Sequence, residues 1–247
     1  MLSFGPERIK ATAERLLDSL FPRRCPVCQR TTASGTSLCS ACYNALPHNL
    51  SACRQCALPL ADDAMHGNLC GRCIRKQPFY DYAASLFRYE GEVISLVHQL
   101  KFSQKIGHSR PLGELLCKLY GQQVFPQYGH PDCLLPVPLH PLRLRWRGYN
   151  QSTEIVRVLA KRHELLIEQE AVIRQRKTVS QTGLDASARQ KNMRSAFGLA
   201  GKLGYRHVLI IDDVVTTGAT VNELARLLKR NGVQQVGVMS IARAPIK

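Results

Sequence analysis

The sequence is short of acidic residues: 18 Asp and Glu stand against 34 Lys and Arg, which leaves a net charge of +16. A positive surplus of this size favours polyanionic partners, such as phosphates or nucleic acid. The sequence also lacks an apolar stretch near the ~18 residues that a membrane-spanning helix needs. Its first residues, with Arg8, Lys10, Glu14 and Arg15 among the apolar ones, lack the apolar core of a signal peptide. We therefore expect a cytoplasmic globular protein with no membrane span.

Cysteine, in contrast, is abundant, and eight of the ten cysteines form four CxxC pairs. Ten residues separate the first two pairs and thirteen separate the last two. Two residues between thiolates allow one tight turn to direct both sulfurs at one metal ion. Eight such ligands predict two Zn²⁺ sites of four cysteines each, with an iron–sulfur cluster as the lesser alternative. The predicted ligands are Cys25, Cys28, Cys39, Cys42, Cys53, Cys56, Cys70 and Cys73.

Other uses of these cysteines fit the pattern poorly. Disulfide bonds or one redox-active CxxC do not explain four regular pairs ahead of a domain with cytosolic character. The spacing leaves open whether the pairs bind metal in sequence or crossed over. The remaining Cys117 and Cys133 have apolar neighbours, which predicts inert core residues.

Three segments of the chain differ in composition. Residues 1–20 have apolar side chains at helical spacing, which predicts an amphipathic helix. Residues 21–77 hold the CxxC pairs and little other apolar material, so we expect this module to need its metal to fold. Residues 78–247 alternate strands with helices, which predicts an α/β domain with a mostly parallel sheet covered on both faces. The predicted strands are 79–89, 133–137, 208–211 and 235–241, and the predicted helices are 92–102, 111–120, 152–162 and 219–230.

The strongest chemical signal is VLIIDDVVTTGAT, residues 208–220. Its apolar start predicts a central strand, Asp212 and Asp213 follow, and a Thr-Thr-Gly turn opens a helix. Ligands of open α/β sheets bind at the carboxyl ends of strands, where a helix N-terminus offers N–H groups to a phosphate. Adjacent carboxylates there suit sugar hydroxyls or a hydrated Mg²⁺. An acid pair or a Thr-Gly cap alone is common in solvated loops, but the joined pattern is far more specific.

A second unusual stretch runs over residues 174–195, which are basic and polar. Val179, Leu184 and Met193 are its only large apolar side chains. A long polar loop inside a compact domain is usually functional or disordered.

Residues 208–220 resemble the thirteen-residue signature for phosphoribosyl pyrophosphate (PRPP) in type I phosphoribosyltransferases. With the cysteine-rich N-terminus, the whole chain resembles the competence protein F (ComF/GntX) family. Where that family usually has Phe in an RGFNQ segment, this chain has Tyr149, which keeps the aromatic ring. The resemblance implies a type I phosphoribosyltransferase domain, Rossmann-like, behind a zinc-binding module. The supporting segments are LVHQLKF (96–102), PVPLHPLRLRWRGYNQ (136–151), RQRKTVSQTGL (174–184), and Arg189 with Asn192.

The resemblance also implies roles by position. Asp212 and Asp213 would bind the ribose hydroxyls, and residues 174–195 would form a hood that closes over the site. The segment that binds the 5′-phosphate would be Thr216, Thr217, Gly218, Ala219 and Thr220. The loop that contacts pyrophosphate would be Val137, Pro138, Leu139 and His140.

Departure of pyrophosphate places negative charge on the leaving group, which Mg²⁺ and basic side chains stabilise. The available cations are Arg143, Arg147, Arg174, Arg176 and Lys177. Of these we select Arg147 and the hood's Arg176 or Lys177 as catalytic candidates, although a surface arginine is more often only solvated. No general base for an acceptor is recognisable.

Nucleic acid is a second predicted partner. Arg143, Arg145, Trp146 and Tyr149 place cations among aromatic rings, which is typical of a surface for single-stranded DNA. Residues 1–78 carry ten Lys or Arg against five acids, which suits a phosphate backbone. Because no helix-turn-helix or base-reading finger is recognisable, we expect binding without sequence preference. Packing of Trp146 on the sheet is the alternative.

We therefore expect a PRPP-binding, transferase-like protein that handles incoming single-stranded DNA. The resemblance implies a part in natural competence, with proteins of the DNA-uptake machinery as partners. An adaptor that binds DNA and keeps the pocket as a PRPP sensor is the alternative, and a metabolic nucleobase transferase is the third. The intact acid pair and the polar hood favour retained chemistry, but whether the protein is an enzyme stays open.

Overall fold

The computed structural model describes residues 23–32, 37–61, 69–102, 109–175 and 196–245. The chain divides into two compact units, with the boundary between Leu46 and Pro47. The helix expected over residues 1–20 lies outside the described residues, as do residues 176–195 of the expected hood. In its described residues, 23–32 and 37–46, the first unit shows cysteine-bearing turns and one short helix, α1 (Ser40–Ala45).

The second unit contains every strand of the α/β sheet as well as the second cysteine couple. Its helical elements are α2 (Gly71–Arg75), α3 (Glu92–Phe102), α4 (Ser109–Leu119) with a π-helical turn at Tyr120–Val124, α5 (Phe125–Tyr128), α6 (Pro141–Arg147), α7 (Gln151–His163) and α8 (Ala219–Arg230). Its strands are β1 (Tyr82–Arg88), β2 (Cys133–Pro136), β3 (Val172–Arg174), β4 (Phe197–Leu199), β5 (His207–Val215) and β6 (Gln235–Arg243).

Four strands form the main sheet in the order β1-β6-β5-β2, and every neighbouring pair is parallel. The mostly parallel α/β sheet predicted from the sequence is therefore confirmed. Helices α4 and α7 pack on each other and on the sheet, while α8 packs on β5 and β6. The apolar side chains of α8 recur at helical spacing, at Val221, Leu224, Ala225 and Leu228, and this stripe is the face that the helix buries.

Parallel strands bring all their carboxyl ends to one edge of the sheet. The loop after β2 and the loop after β5 are neighbours there, because these two strands are paired. The backbone N–H of Val137 continues the pairing by donating to the carbonyl of Ile211, at 2.9 Å. The two loops that the sequence assigns to pyrophosphate and to phosphoribose therefore lie side by side.

Several element bounds differ from the predictions for identifiable reasons. Strand β5 does not end before the acids but continues to Val215, because Asp212 and Val214 still pair with β6. The sequence did not predict the short antiparallel pair β3–β4, whose strands precede and follow residues 176–195, or helix α6. Helix α3, in contrast, has the predicted bounds. Within the described residues, every helix is too short or too polar to cross a bilayer.

The predicted module boundary after residue 77 also differs from the division at Leu46. The cysteines of the second couple are buried in one cluster with Tyr80, Val215 and residues of α8. These cysteines consequently belong to the same compact unit as the sheet.

Candidate functional site

Two clusters of four cysteines have the geometry of metal sites. The first joins Cys25, Cys28, Cys39 and Cys42, and the second joins Cys53, Cys56, Cys70 and Cys73, with all sulfurs of a cluster within 4.8 Å of one another. The pairs therefore come together in sequence, which the spacing alone left open. Every cysteine of the chain is a free thiol, so disulfides are excluded as the reason for the clusters.

The distances inside the clusters fit Zn²⁺. Tetrahedral Zn–S bonds of about 2.3 Å place two ligand sulfurs about 3.8 Å apart. The Sγ atoms of Cys28 and Cys39 are 3.8 Å apart, and those of Cys56 and Cys70 are 3.6 Å apart. The backbone N–H of Cys70 also donates to the sulfur of Cys53, at 3.3 Å, which favours a thiolate.

The charge of the second cluster also calls for a cation. A hydrogen bond from the Cys56 thiol lowers the pKa of Cys53 to about 4, and the same contact raises the pKa of Cys56. Four adjacent sulfurs cannot all ionise without a positive charge among them. A divalent zinc ion supplies that charge. Cys117 and Cys133 belong to neither cluster, and burial raises their pKa values to about 11 and about 12, respectively.

The acid pair lies at the carboxyl end of β5. Asp212 is partly buried, and its Oδ1 accepts the backbone N–H of Asp213 at 2.9 Å. Asp213 is only 3% exposed, and its two carboxylate oxygens accept from the backbone N–H of Val214 and the side-chain amide of Gln151. The partly exposed acid is therefore the more accessible of the two, and the buried one is held by protein donors.

Gln151 connects the acid pair to a predicted catalytic cation. Its Nε2 donates to Oδ2 of Asp213 at 3.0 Å, and its Oε1 accepts from Nη1 of Arg147 at 2.7 Å. Burial lowers the pKa of Arg147, and the negative charge of Asp213 opposes this shift. Although Gln151 ends the PVPLHPLRLRWRGYNQ segment, it was not chosen as a site residue. Its burial and its contact with Asp213 depend on residues far along the chain, so no local pattern indicated this role.

The turn after β5 has the backbone of a phosphate-binding loop. Gly218 precedes α8 with φ of +79°, a conformation that glycine adopts without strain, and it offers no side chain to cap the helix. The hydroxyl of Thr217 accepts the N–H of Ala219 at 3.3 Å. The first turn of a helix has N–H groups without acceptors inside the helix, so this end suits an anion.

The neighbouring loop after β2 is fixed from both sides. The side-chain amide of Asn150 donates to the carbonyl of Val137 at 3.0 Å, and its oxygen caps α7. His140 caps α6, because its Nδ1 accepts the N–H of Leu142 at 3.2 Å. The imidazole thus has a structural task at the end of the predicted pyrophosphate loop.

Arg174 is a cation near the acid pair that the sequence did not select. It is 6% exposed at the end of β3, and its guanidinium lies 5.5 Å from the centre of the Phe197 ring. Burial and the charge of Arg143 lower its pKa to about 10, while Asp212 opposes the shift. Of the cations that we did select from the hood, Arg176 and Lys177 lie outside the described residues.

A cleft of about 580 Å³ opens beside the pyrophosphate loop. Pro138, Leu139 and His140 form one wall, the first turns of α7 a second, and β3 a third. The acid pair and residues 216–220 do not line it. The cleft therefore lies at the pyrophosphate end of the predicted PRPP site and does not extend to the acid pair or to residues 216–220.

The predicted nucleic-acid residues separate into two groups. Trp146 is 73% exposed on α6, which also carries Arg143 and Arg145. Tyr149 is buried, and its hydroxyl donates to the carbonyl of Leu100. The turn at Gly148 separates it from α6, so it stands apart from the other three candidates.

Comparisons with known proteins agree with both halves of the chain. Residues 16–74 match the family model for a double zinc ribbon domain, and residues 135–247 match the model for a phosphoribosyl transferase domain. The chain is 36% identical to the DNA utilization protein YhgH of Escherichia coli K12, over 90% of this chain and 97% of that protein. It is 31% identical to competence protein F of Haemophilus influenzae, over 92% of this chain and 99% of that protein. Among solved structures, a hypoxanthine phosphoribosyltransferase from Staphylococcus aureus is 18% identical, with a TM-score of 0.31 over 53% of this chain and 62% of that one.

Proposed function

Because the chain belongs to the family of competence protein F and the DNA utilization protein YhgH, we propose that it binds PRPP with Mg²⁺ and transfers phosphoribose in the handling of single-stranded DNA. The match of residues 135–247 to a phosphoribosyl transferase domain supports the transfer part of this proposal. The names of the relatives support a role in competence. A cytoplasmic location and partners in DNA uptake complete the proposal.

One observation carries the proposal. At the carboxyl end of β5, the acid pair is followed directly by a helix N-terminus whose glycine adopts positive φ. The two features match the two ends of phosphoribose, since carboxylates accept from ribose hydroxyls and helix N–H groups donate to a phosphate. The loop of residues 137–140 lies beside them, on the neighbouring strand, where pyrophosphate would leave.

The chemistry is a substitution at C1 of the ribose. The bond from C1 to the pyrophosphate oxygen breaks and its electron pair departs with pyrophosphate. An acceptor atom donates a pair to C1 and releases its proton to water. The partly exposed Asp212 would be a carboxylate ligand for Mg²⁺, and the ion would neutralise charge on the phosphates. Asp213 is held in place by Gln151, so it is ready to orient the ribose hydroxyls.

Cations must stabilise the departing pyrophosphate. Arg174 is the described cation whose position best supports this role, because it lines the same cleft as Pro138, Leu139 and His140 of the pyrophosphate loop. Arg147 orients the acid pair through Gln151, and we retain Arg176 and Lys177 as candidates on the hood.

Single-stranded DNA would bind along α6. Exposed Trp146 stands between Arg143 and Arg147, which places a stacking ring among phosphate-binding groups. Loss of one stacking ring costs about 1–3 kcal/mol per base, so Trp146→Ala should weaken binding about fivefold or more. Fluorescence anisotropy with a labelled oligonucleotide measures this. The Arg143→Ala/Arg145→Ala variant tests the basic groups of α6 in the same assay. Its matched control is Lys118→Ala/Lys161→Ala, which removes two exposed charges from α4 and α7.

Release of pyrophosphate tests the transfer itself. We expect the zinc-loaded protein to release pyrophosphate from PRPP and Mg²⁺ when single-stranded DNA is added, with labelled ribose appearing on the DNA. The Asp212→Asn/Asp213→Asn variant should lose this activity and keep its affinity for DNA. PRPP binding without transfer to DNA or to a nucleobase would instead identify a sensor, and transfer to a nucleobase alone would identify a metabolic enzyme.

A further inference from the structure

Arg243, at the end of β6, is the most deeply buried charged group near the proposed site. It is 2% exposed, and its guanidinium donates to four main-chain carbonyls. Nε donates to the carbonyl of Cys56 at 2.9 Å, and the two hydrogens of Nη1 are shared among the carbonyls of Val215 at 3.0 Å, Ala244 at 2.9 Å and Thr216. A buried charge is weak evidence for stability alone, since apolar residues often serve that purpose equally well.

Two of these carbonyls lie where the 5′-phosphate would bind: that of Val215, the last residue of β5, and that of Thr216, the first residue of the turn. In a planar trans peptide, the C=O and the following N–H point in opposite directions. When Arg243 draws the carbonyls of Val215 and Thr216 inward, the N–H groups of Thr216 and Thr217 must point outward. A row of outward N–H groups is the arrangement that binds an anion.

The guanidinium also strengthens these donors. A cation on the carbonyl side of a peptide polarises the group and makes its N–H a better donor. The fourth carbonyl is that of Cys56, so the same guanidinium attaches the second zinc site to the phosphate turn. Tyr80 lies in the same buried cluster as the second cysteine couple. Its hydroxyl is close to Gly218, since a Cβ built on that glycine would lie 3.5 Å from it.

We propose that Arg243 is a positioning residue for phosphoribose, which fixes the peptide groups of residues 215–217 so that their N–H groups bind the 5′-phosphate. This role rests on the proposed function. It predicts a selective defect: the 5′-phosphate end of the site depends on Arg243, while the pyrophosphate loop on β2 does not.

Calorimetric titration with ribose 5-phosphate and, separately, with pyrophosphate and Mg²⁺ tests this selectivity on the full, zinc-loaded chain. Arg243→Met should lower the affinity for ribose 5-phosphate about tenfold or more, because charge-assisted hydrogen bonds are lost, and leave that for pyrophosphate unchanged. Arg243→Lys keeps the charge and some donors, so it should recover part of the loss. Arg88→Met is the matched control, since Arg88 is the partner of Arg243 in the sheet register but lies exposed.

The outcomes separate the two proposals. Wild-type protein that binds neither ligand overturns the proposed function, and this role with it. Wild-type protein that binds both, with Arg243→Met unchanged or with both affinities lowered in parallel, overturns the positioning role alone. Should the methionine variant fail to fold, the wild type decides by NMR: the buried Arg243 Nε–H signal should shift on addition of ribose 5-phosphate but not of pyrophosphate, and any other result overturns the role.

Discussion

Replacement of Gln151 by methionine should disconnect the acid pair from Arg147. Gln151→Met keeps the volume of the buried side chain but removes one hydrogen bond to the carboxylate of Asp213 and one to the guanidinium of Arg147. Hydrogen bonds to charged groups contribute about 1.5–3 kcal/mol each, so we expect a loss of about 3 kcal/mol in the free energy of unfolding. For a unit of about 200 residues this lowers Tm by about 6–12 °C.

Thermal unfolding of the zinc-loaded protein measures the loss, with Gln122→Met, on the exposed surface, as the matched control. That control should stay within about 0.5 kcal/mol of the wild type. Gln151→Glu should keep the contact with Arg147 but repel Asp213, so its Tm should rise as pH falls and one carboxylate is neutralised. A Gln151→Met protein as stable as the control would refute the connection between Arg147 and the acid pair.

Three further predictions concern His207 at the start of β5, the second zinc site and the phosphate turn. Burial lowers the pKa of His207, so the unfolded chain binds more protons below about pH 6.5, and the free energy of unfolding should fall from about pH 7 to pH 5; His207→Gln should flatten this dependence in urea titrations. Cys56→Ser should leave one zinc per chain instead of two by metal analysis, whereas Cys117→Ser should leave both. Gly218→Ala should cost about 1–2 kcal/mol in unfolding free energy, because a left-handed residue gains a Cβ there; Gly204→Ala, which meets open space, should cost less.

Local patterns in the sequence predicted those elements and sites that a short stretch of the chain determines. Helix α3 has its predicted bounds because its apolar spacing is regular. The four CxxC pairs predicted both metal clusters, since each pair is a complete local turn. The acid pair and the Gly218 turn were likewise recognisable, because strand end and helix start are adjacent in the chain.

Contacts between distant segments were not predictable in this way. Cys56 and Arg243 are 187 residues apart, and nothing near either residue indicates the other. Gln151 and Asp213 are 62 residues apart. The burial of Tyr149 was not predictable either, because an aromatic ring beside arginines has the same composition whether it is exposed or buried. The second cysteine couple belongs with the sheet for the same reason, since its packing partners lie far along the chain.

Calorimetric titration of the zinc-loaded protein with PRPP and Mg²⁺ tests the central claim most directly. The account predicts saturable binding of one PRPP per chain, which the Asp212→Asn/Asp213→Asn variant loses while it keeps its zinc and its fold. Absence of binding by folded, metal-replete wild-type protein would contradict the claim. Equal binding by the variant would contradict it as well, because the acid pair would then have no part in the site.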